Sequence, residues 1–145
     1  MSRACIPLLL KGENKVLANL ASVGGLVTGP TLSAYQMSKT EVIRLTDFIA
    51  AGYSDEGLTV FCIHSGNILT DMLGGGEGMD DALKAVFTET PQLCADTLVF
   101  LAKEKRAWLS GRYINCTWDM PELMSDPLRK KIVDGDLLKL TLKTP

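Results

Sequence analysis

Apolar residues in this chain fall into two patterns: short, nearly continuous runs, and longer stretches where they recur every three or four positions. The runs mark strands. "KVLANLAS" (15–22) is mostly apolar and ends in small residues, and "GLTVFCIH" (57–64) is rich in β-branched and aromatic residues. Both read as buried strands. "RYINCTW" (112–118) alternates and reads as a third strand, with Gly111 marking the turn before it.

The helical stretches lie between and after these runs. Ser33-Ala-Tyr-Gln36 has capping-box form, which predicts that Ser33 takes the amide of Gln36 while Gln36 reaches back. A helix follows from about Ala34 to Tyr53, with Val42, Leu45 and Ile49 on one stripe and Gly52 near its end. Asp80 to Glu89 suits a short helix, and Pro91 suits the first turn of another, with Leu93, Thr97, Leu98 and Leu101 as its core stripe. The tail from Pro121 reads as a weak helix followed by irregular chain. Val23 to Leu32 is a Gly/Thr/Pro-rich loop, and "LGGGEG" (73–78) is a loop too rich in glycine to hold one conformation by itself.

Strand–helix–strand–helix–strand with crossovers of this length predicts an α/β fold with a parallel sheet, in a single domain over residues 1–145. Three parallel strands make a meagre sheet, since such sheets are covered on both faces and extended on both sides. The chain therefore reads as part of something larger.

Composition removes several functions. A net charge of −2 gives no footprint for nucleic acid or an anionic membrane surface. Cys5, Cys62, Cys94 and Cys116 are far apart with no CxxC pair, so reduced thiols are expected, and with a single histidine they argue against a zinc site. "ACIPLLL" is too short for a leader or a membrane span, and a cytoplasmic location is the expectation.

The chemistry concentrates in residues 21–42, where Ser22 is followed thirteen places on by Tyr35 and four further by Lys39. Residues i and i+4 share a helix face one turn apart. A phenol titrates near ~10 in water, and both an adjacent ammonium and the positive end of a helix favour phenolate. That is the direction a general acid/base needs. A serine at a strand end can donate a hydrogen bond to a carbonyl as charge develops on it. Other residues read more plainly: His64 as a strand-end cap, Trp108 and Trp118 as core or interface anchors, and Asp71 as a helix cap or loop charge. The glycines at 74, 75, 76 and 78 do not lie between a strand and a helix start, so they are no phosphate cradle.

Together these motifs resemble the C-terminal half of a short-chain dehydrogenase/reductase, from Ala4 to Trp118, with a tail most similar to fungal members. "NLASVGG" (19–25) looks like the family's strand-plus-serine motif, Tyr35-Gln-Met-Ser-Lys39 its YxxxK, "HSGNILTDM" (64–72) its PG-motif loop, and "SGRYINC" (110–116) its last strand. The resemblance implies a truncated Rossmann-like fold, with Met1 beginning inside the helix before the serine strand. It implies catalytic roles for Ser22, Tyr35 and Lys39. It also implies a nicotinamide site in which Lys39 holds the ribose, Ser65 and Gly66 form the positioning turn, and Ile68 and Thr70 contact the carboxamide. Ser65 stands where the motif has proline, which loosens that turn. The family's first half, with the glycine-rich phosphate loop and the tetrad asparagine, has no counterpart here.

Three functional expectations follow. The first is acid/base chemistry on a carbonyl or enol of a small molecule without nicotinamide, such as isomerisation, dehydration or cyclisation in secondary metabolism. The second is an NADP- or NAD-dependent oxidoreductase, completed by a longer or partner chain. The third is a non-catalytic partner subunit. A homodimer that covers the open edge of the serine strand is also expected.

Overall fold

The computed structural model describes residues 1–142; the last three residues of the single domain expected over 1–145 lie outside it. Three strands, β1 (Val16–Ala21), β2 (Thr59–His64) and β3 (Arg112–Asn115), form one parallel sheet in the order β1-β2-β3. The register pairs Ala21 with His64 and His64 with Asn115, so the three strand ends are level along one edge. The α/β, Rossmann-like arrangement of about three parallel strands with flanking helices is thus observed.

Among the described residues, six α-helices accompany the sheet: α1 (Ser2–Leu9), α2 (Ser33–Tyr53), α3 (Asp81–Lys84), α4 (Pro91–Ala102), α5 (Met120–Leu123) and α6 (Asp126–Asp134). β2 is buried at all six positions, as a central parallel strand should be. One core of Phe61, Ile63, Leu101, Leu109 and Ile114 packs under it, joined by Leu123 and Ile132 of α5 and α6. Val60 meets Ile6 of α1 and Ile49 of α2 in a second cluster. No helix among the described residues is long and apolar enough to cross a membrane.

Several expectations needed correction. β1 is half-buried rather than buried, with Leu20 56% exposed, because it has a strand neighbour on one side only. The buried stripe of α2 is Ile43, Thr46, Ile49 and Ala50, while Leu45 faces outward. The offset lets the Thr46 hydroxyl accept a hydrogen bond from Asn19 of β1 at 3.0 Å. In α4, Cys94 replaces Leu93 as the first buried position. The helix expected over Asp80 to Glu89 is only α3, capped by the Asp80 carboxylate, which accepts from Leu83 N. The tail is more ordered than its sequence suggests: Leu138 O accepts from Tyr113 N at 2.8 Å and covers part of the β3 edge.

All four cysteines are free thiols, as expected. Burial pushes Cys62 up to about 12 and Cys116 up to about 11, so neither is a ready nucleophile. Arg106 was not legible as structural. Its buried guanidinium donates to Phe100 O at 2.8 Å and Leu101 O at 3.0 Å, closing the end of α4 where carbonyls lack partners.

Candidate active site

Ser22 leaves β1 in extended conformation and caps a short 3-10 turn, Val23–Leu26. Its Oγ accepts from Gly24 N at 3.0 Å, which leaves the hydroxyl hydrogen available to a further oxygen. Ser22 is buried, whereas Tyr35 and Lys39 are half-buried in the first two turns of α2.

The turn lies directly against the helix. A Cβ added at Gly25 would stand 2.7 Å from the Lys39 carbonyl carbon and 2.9 Å from Thr40 N, so only glycine permits this approach. The Thr40 hydroxyl donates to Gly25 O at 2.8 Å and fastens the two segments. A Cβ at Gly24 would lie 3.1 Å from Tyr35 Cε1 and 3.3 Å from Ser22 Oγ, so the tyrosine ring and the serine hydroxyl flank one backbone position. Lys39 Nζ sits 5.7 Å from the Tyr35 ring centroid and donates to Leu20 O at 3.2 Å. Ser22, Tyr35 and Lys39 are therefore brought together at the C-terminal end of β1.

The expected capping box is absent. Leu32 occupies the N-cap position and Gln36 N donates to Leu32 O, while the Gln36 side chain accepts from Gly29 N at 3.1 Å. Gln36 thus ties down the loop ahead of the helix instead of the helix terminus. Thr31 in that loop has φ of 72°, an uncommon conformation for a β-branched residue.

Ser65, Gly66, Ile68 and Thr70 follow β2 along the same edge of the sheet. Gly66 has φ of 88°, and a Cβ there would meet Glu89 Cβ at 2.8 Å. Asn67 N donates to Glu89 Oε2 at 2.8 Å, and Glu89 N donates to Asn67 O at 3.3 Å. Sequence reasoning missed Glu89, whose partner lies far from it along the chain. Thr70 opens a kinked 3-10 turn, Asp71–Gly76, and Asp71 is an exposed charge inside it. His64 is buried at the end of β2, and burial lowers its pKa against the opposing influence of Glu89 and Asn67. Trp108 packs partly buried against the main core, and Trp118 stands edge-on to Tyr113 with ring centroids 6.2 Å apart.

The family profile described as enoyl-(acyl carrier protein) reductase matches residues 1–116. A short chain dehydrogenase of Monascus ruber, pigC, is 47% identical over 140 residues, covering 97% of this chain and 46% of that protein. A short chain dehydrogenase of Aspergillus terreus, tazN, is 48% identical over 128 residues, covering 86% of this chain and 28% of that protein. A solved 7 alpha-hydroxysteroid dehydrogenase, complexed with NADH and 7-oxo glycochenodeoxycholic acid, superposes with a TM-score of 0.66 at 22% identity, over 79% of this chain and 47% of that one. The chain belongs to the short-chain dehydrogenase/reductase family and corresponds to its C-terminal part. It spans about half the length of the Monascus ruber relative.

The family implies a nicotinamide dinucleotide. Its nicotinamide–ribose end fits the residues present: Lys39 directs an ammonium to the end of β1, and the loop carrying Ser65, Gly66, Ile68 and Thr70 leaves β2 along the same edge. The pyrophosphate calls for a strand running through a glycine turn into a helix N-terminus. Among the described residues the glycine run does not supply this, because it forms a kinked 3-10 turn ahead of the four-residue α3. Two concavities, of about 330 and 500 Å³, lie against the C-terminal helices, lined by Trp118, Leu128 and Ile132 and by Trp108, Arg129 and Val133. None of the candidate residues lines either.

Two predictions follow from this geometry. Gly25→Ala should cost about 1–3 kcal/mol of stability, as overpacking against backbone does, measured by urea unfolding; a change near zero would show that the turn can retreat from α2. The second concerns pH. The native state favours neutral His64, so the unfolded chain binds its proton first, near ~6.5. The contribution is therefore full above that range and lost as pH falls through it towards the lower native value. His64→Gln, which removes the chain's single histidine, should flatten this loss. An unaltered pH slope would acquit His64.

Proposed function

We propose that this chain carries the acid/base half of a short-chain dehydrogenase site acting on the carbonyl or hydroxyl oxygen of a small molecule. Tyr35 exchanges a proton with that oxygen, Ser22 donates a hydrogen bond to it, and Lys39 holds its ammonium beside the phenol ring. One observation supports this above others: the Tyr35 ring and the Ser22 hydroxyl flank Gly24, with Lys39 one helical turn along. Nicotinamide, when bound, supplies or accepts the hydride, as NADP or NAD. Lys39 and the Ser65–Thr70 loop would hold its nicotinamide–ribose end.

A second reading drops hydride transfer and keeps proton transfer alone, for isomerisation, dehydration or cyclisation. It is favoured by the absence of a fitted pyrophosphate cradle among the described residues. The redox reading ranks first because relatives matching nearly the whole chain are named dehydrogenases.

The test joins this chain to the unmatched first part of the Monascus ruber relative and measures NADPH-dependent reduction of a panel of small ketones. Tyr35→Phe should lower kcat/KM by about 10²–10⁴-fold, the usual worth of a general acid/base, with NADPH binding retained. Equal, measurable rates of reduction in the two proteins would defeat the acid/base role given to Tyr35. Turnover of an enolisable ketone by the 145-residue chain without nicotinamide, lost in Tyr35→Phe, would select the second.

The open β1 edge, with Leu20 exposed, is also proposed to pair with a second copy of the chain. Sedimentation should then report a dimer at micromolar concentration, whereas a single monomeric species would remove the proposal.

A further inference from the structure

Glu89 has an unusual set of partners for a carboxylate. It lies between α3 and α4, is half-buried, and makes no ion pair among the described residues. Its oxygens are instead committed to neutral donors. Oε2 accepts from Asn67 N at 2.8 Å and Oε1 from the Thr88 hydroxyl at 3.2 Å. Its own backbone N donates back to Asn67 O at 3.3 Å, so the two residues are doubly bonded across 22 positions of sequence. Gly66 is seated on its stem, where a Cβ would come within 2.8 Å of Glu89 Cβ and 3.0 Å of Cγ, with Cys116 Sγ at 3.4 Å.

A loop whose turn lacks proline keeps its backbone freedom and needs an external hold to present fixed side chains. Ser65 stands at that point here. Backbone amides rarely stay without partners in folded chains, and the amide of Asn67 is satisfied by Glu89 alone among the hydrogen bonds of the described residues.

We propose that Glu89 is a positioning residue of the candidate site: its carboxylate and backbone fix Asn67, its stem seats Gly66, and together they set where Ile68 and Thr70 lie. The functional meaning of that placement rests on the dehydrogenase-like reading above; the clamp itself does not.

The test is amide hydrogen exchange and methyl NMR on the 145-residue chain and its Glu89→Ala, Glu89→Gln and Tyr35→Phe variants. Loss of the acceptor in Glu89→Ala should speed exchange at Asn67 by about tenfold or more and shift the Ile68 and Thr70 methyls, while β2 and α2 amides stay as in the parent. Glu89→Gln retains an acceptor oxygen at the same reach and should restore both signals. Unchanged Asn67 exchange in Glu89→Ala would overturn the proposal. So would a Glu89→Gln variant as unprotected as Glu89→Ala, or loss of protection spread through β2. Tyr35→Phe should leave Asn67 exchange unchanged. A failed turnover test for Tyr35 alongside an intact Glu89 result would therefore sink the functional reading and leave the clamp standing.

Discussion

Everything at the candidate site depends on the close approach of two backbones at Gly25. Ser22 comes from a strand end and Tyr35 from a helix thirteen residues later, so no local preference holds them at one place. The approach does: Gly25 lies flush against the Lys39–Thr40 peptide, where any side chain would intrude to 2.7 Å, and the Thr40 hydroxyl fastens it through Gly25 O at 2.8 Å. Thr40 is itself anchored, because its hydroxyl also lies 2.9 Å from Gln36 O on the same helix. Shape complementarity and one hydrogen bond thus convert a sequence spacing into a constellation. The strained Thr31 and the Gln36–Gly29 tie belong to the same arrangement, since they carry the chain from the turn back to the start of α2.

The parallel sheet supplies the second constraint. Its register levels Ala21, His64 and Asn115, so segments distant in sequence leave the sheet along one edge. In α/β sheets ligands bind at the carboxyl ends of strands for this reason. The opposite end is closed by structural polar groups. Arg112 is buried there, donating to Trp108 O at 2.6 Å, and Ser110 accepts from Val60 N. The sheet thereby separates a bonded-down end from an end that offers the hydroxyl hydrogen of a serine, a phenol and an ammonium.

Legibility from sequence tracks how local the cause is. β2 was legible because a central parallel strand is apolar on both faces, and the start of α4 because Pro91 suits a first turn. The Tyr35–Lys39 pairing was legible because i,i+4 spacing on a helix is fixed by geometry. The capping box was misread because Gln36 has a competing donor, Gly29 N, that exists only once the loop has folded back. The stripe of α2 was misplaced because Thr46, a polar residue, is buried where Asn19 can reach it. Glu89 carried no signal at all, since an acid beside a threonine and ahead of a proline reads as a solvated helix entry. What makes it structural lies 22 residues upstream.

Burial across the sheet is uneven in a way that bears on how the site is completed. β2 is fully buried and β3 nearly so, whereas β1 is half-buried and leaves Leu20 56% exposed. The candidate chemistry hangs from β1, the least enclosed of the three: Ser22 ends it, and Lys39 is tethered to its Leu20 carbonyl. An unpaired strand edge calls for a cover, and acid/base chemistry gains from the exclusion of water. At β1 these two requirements fall within two residues of each other. A strand laid along that edge would bury Leu20 and bring its own backbone beside Ser22 in the same step. Whether the cover is a second copy or the remainder of a longer polypeptide, stabilising the sheet and enclosing the reactive oxygen are then one event.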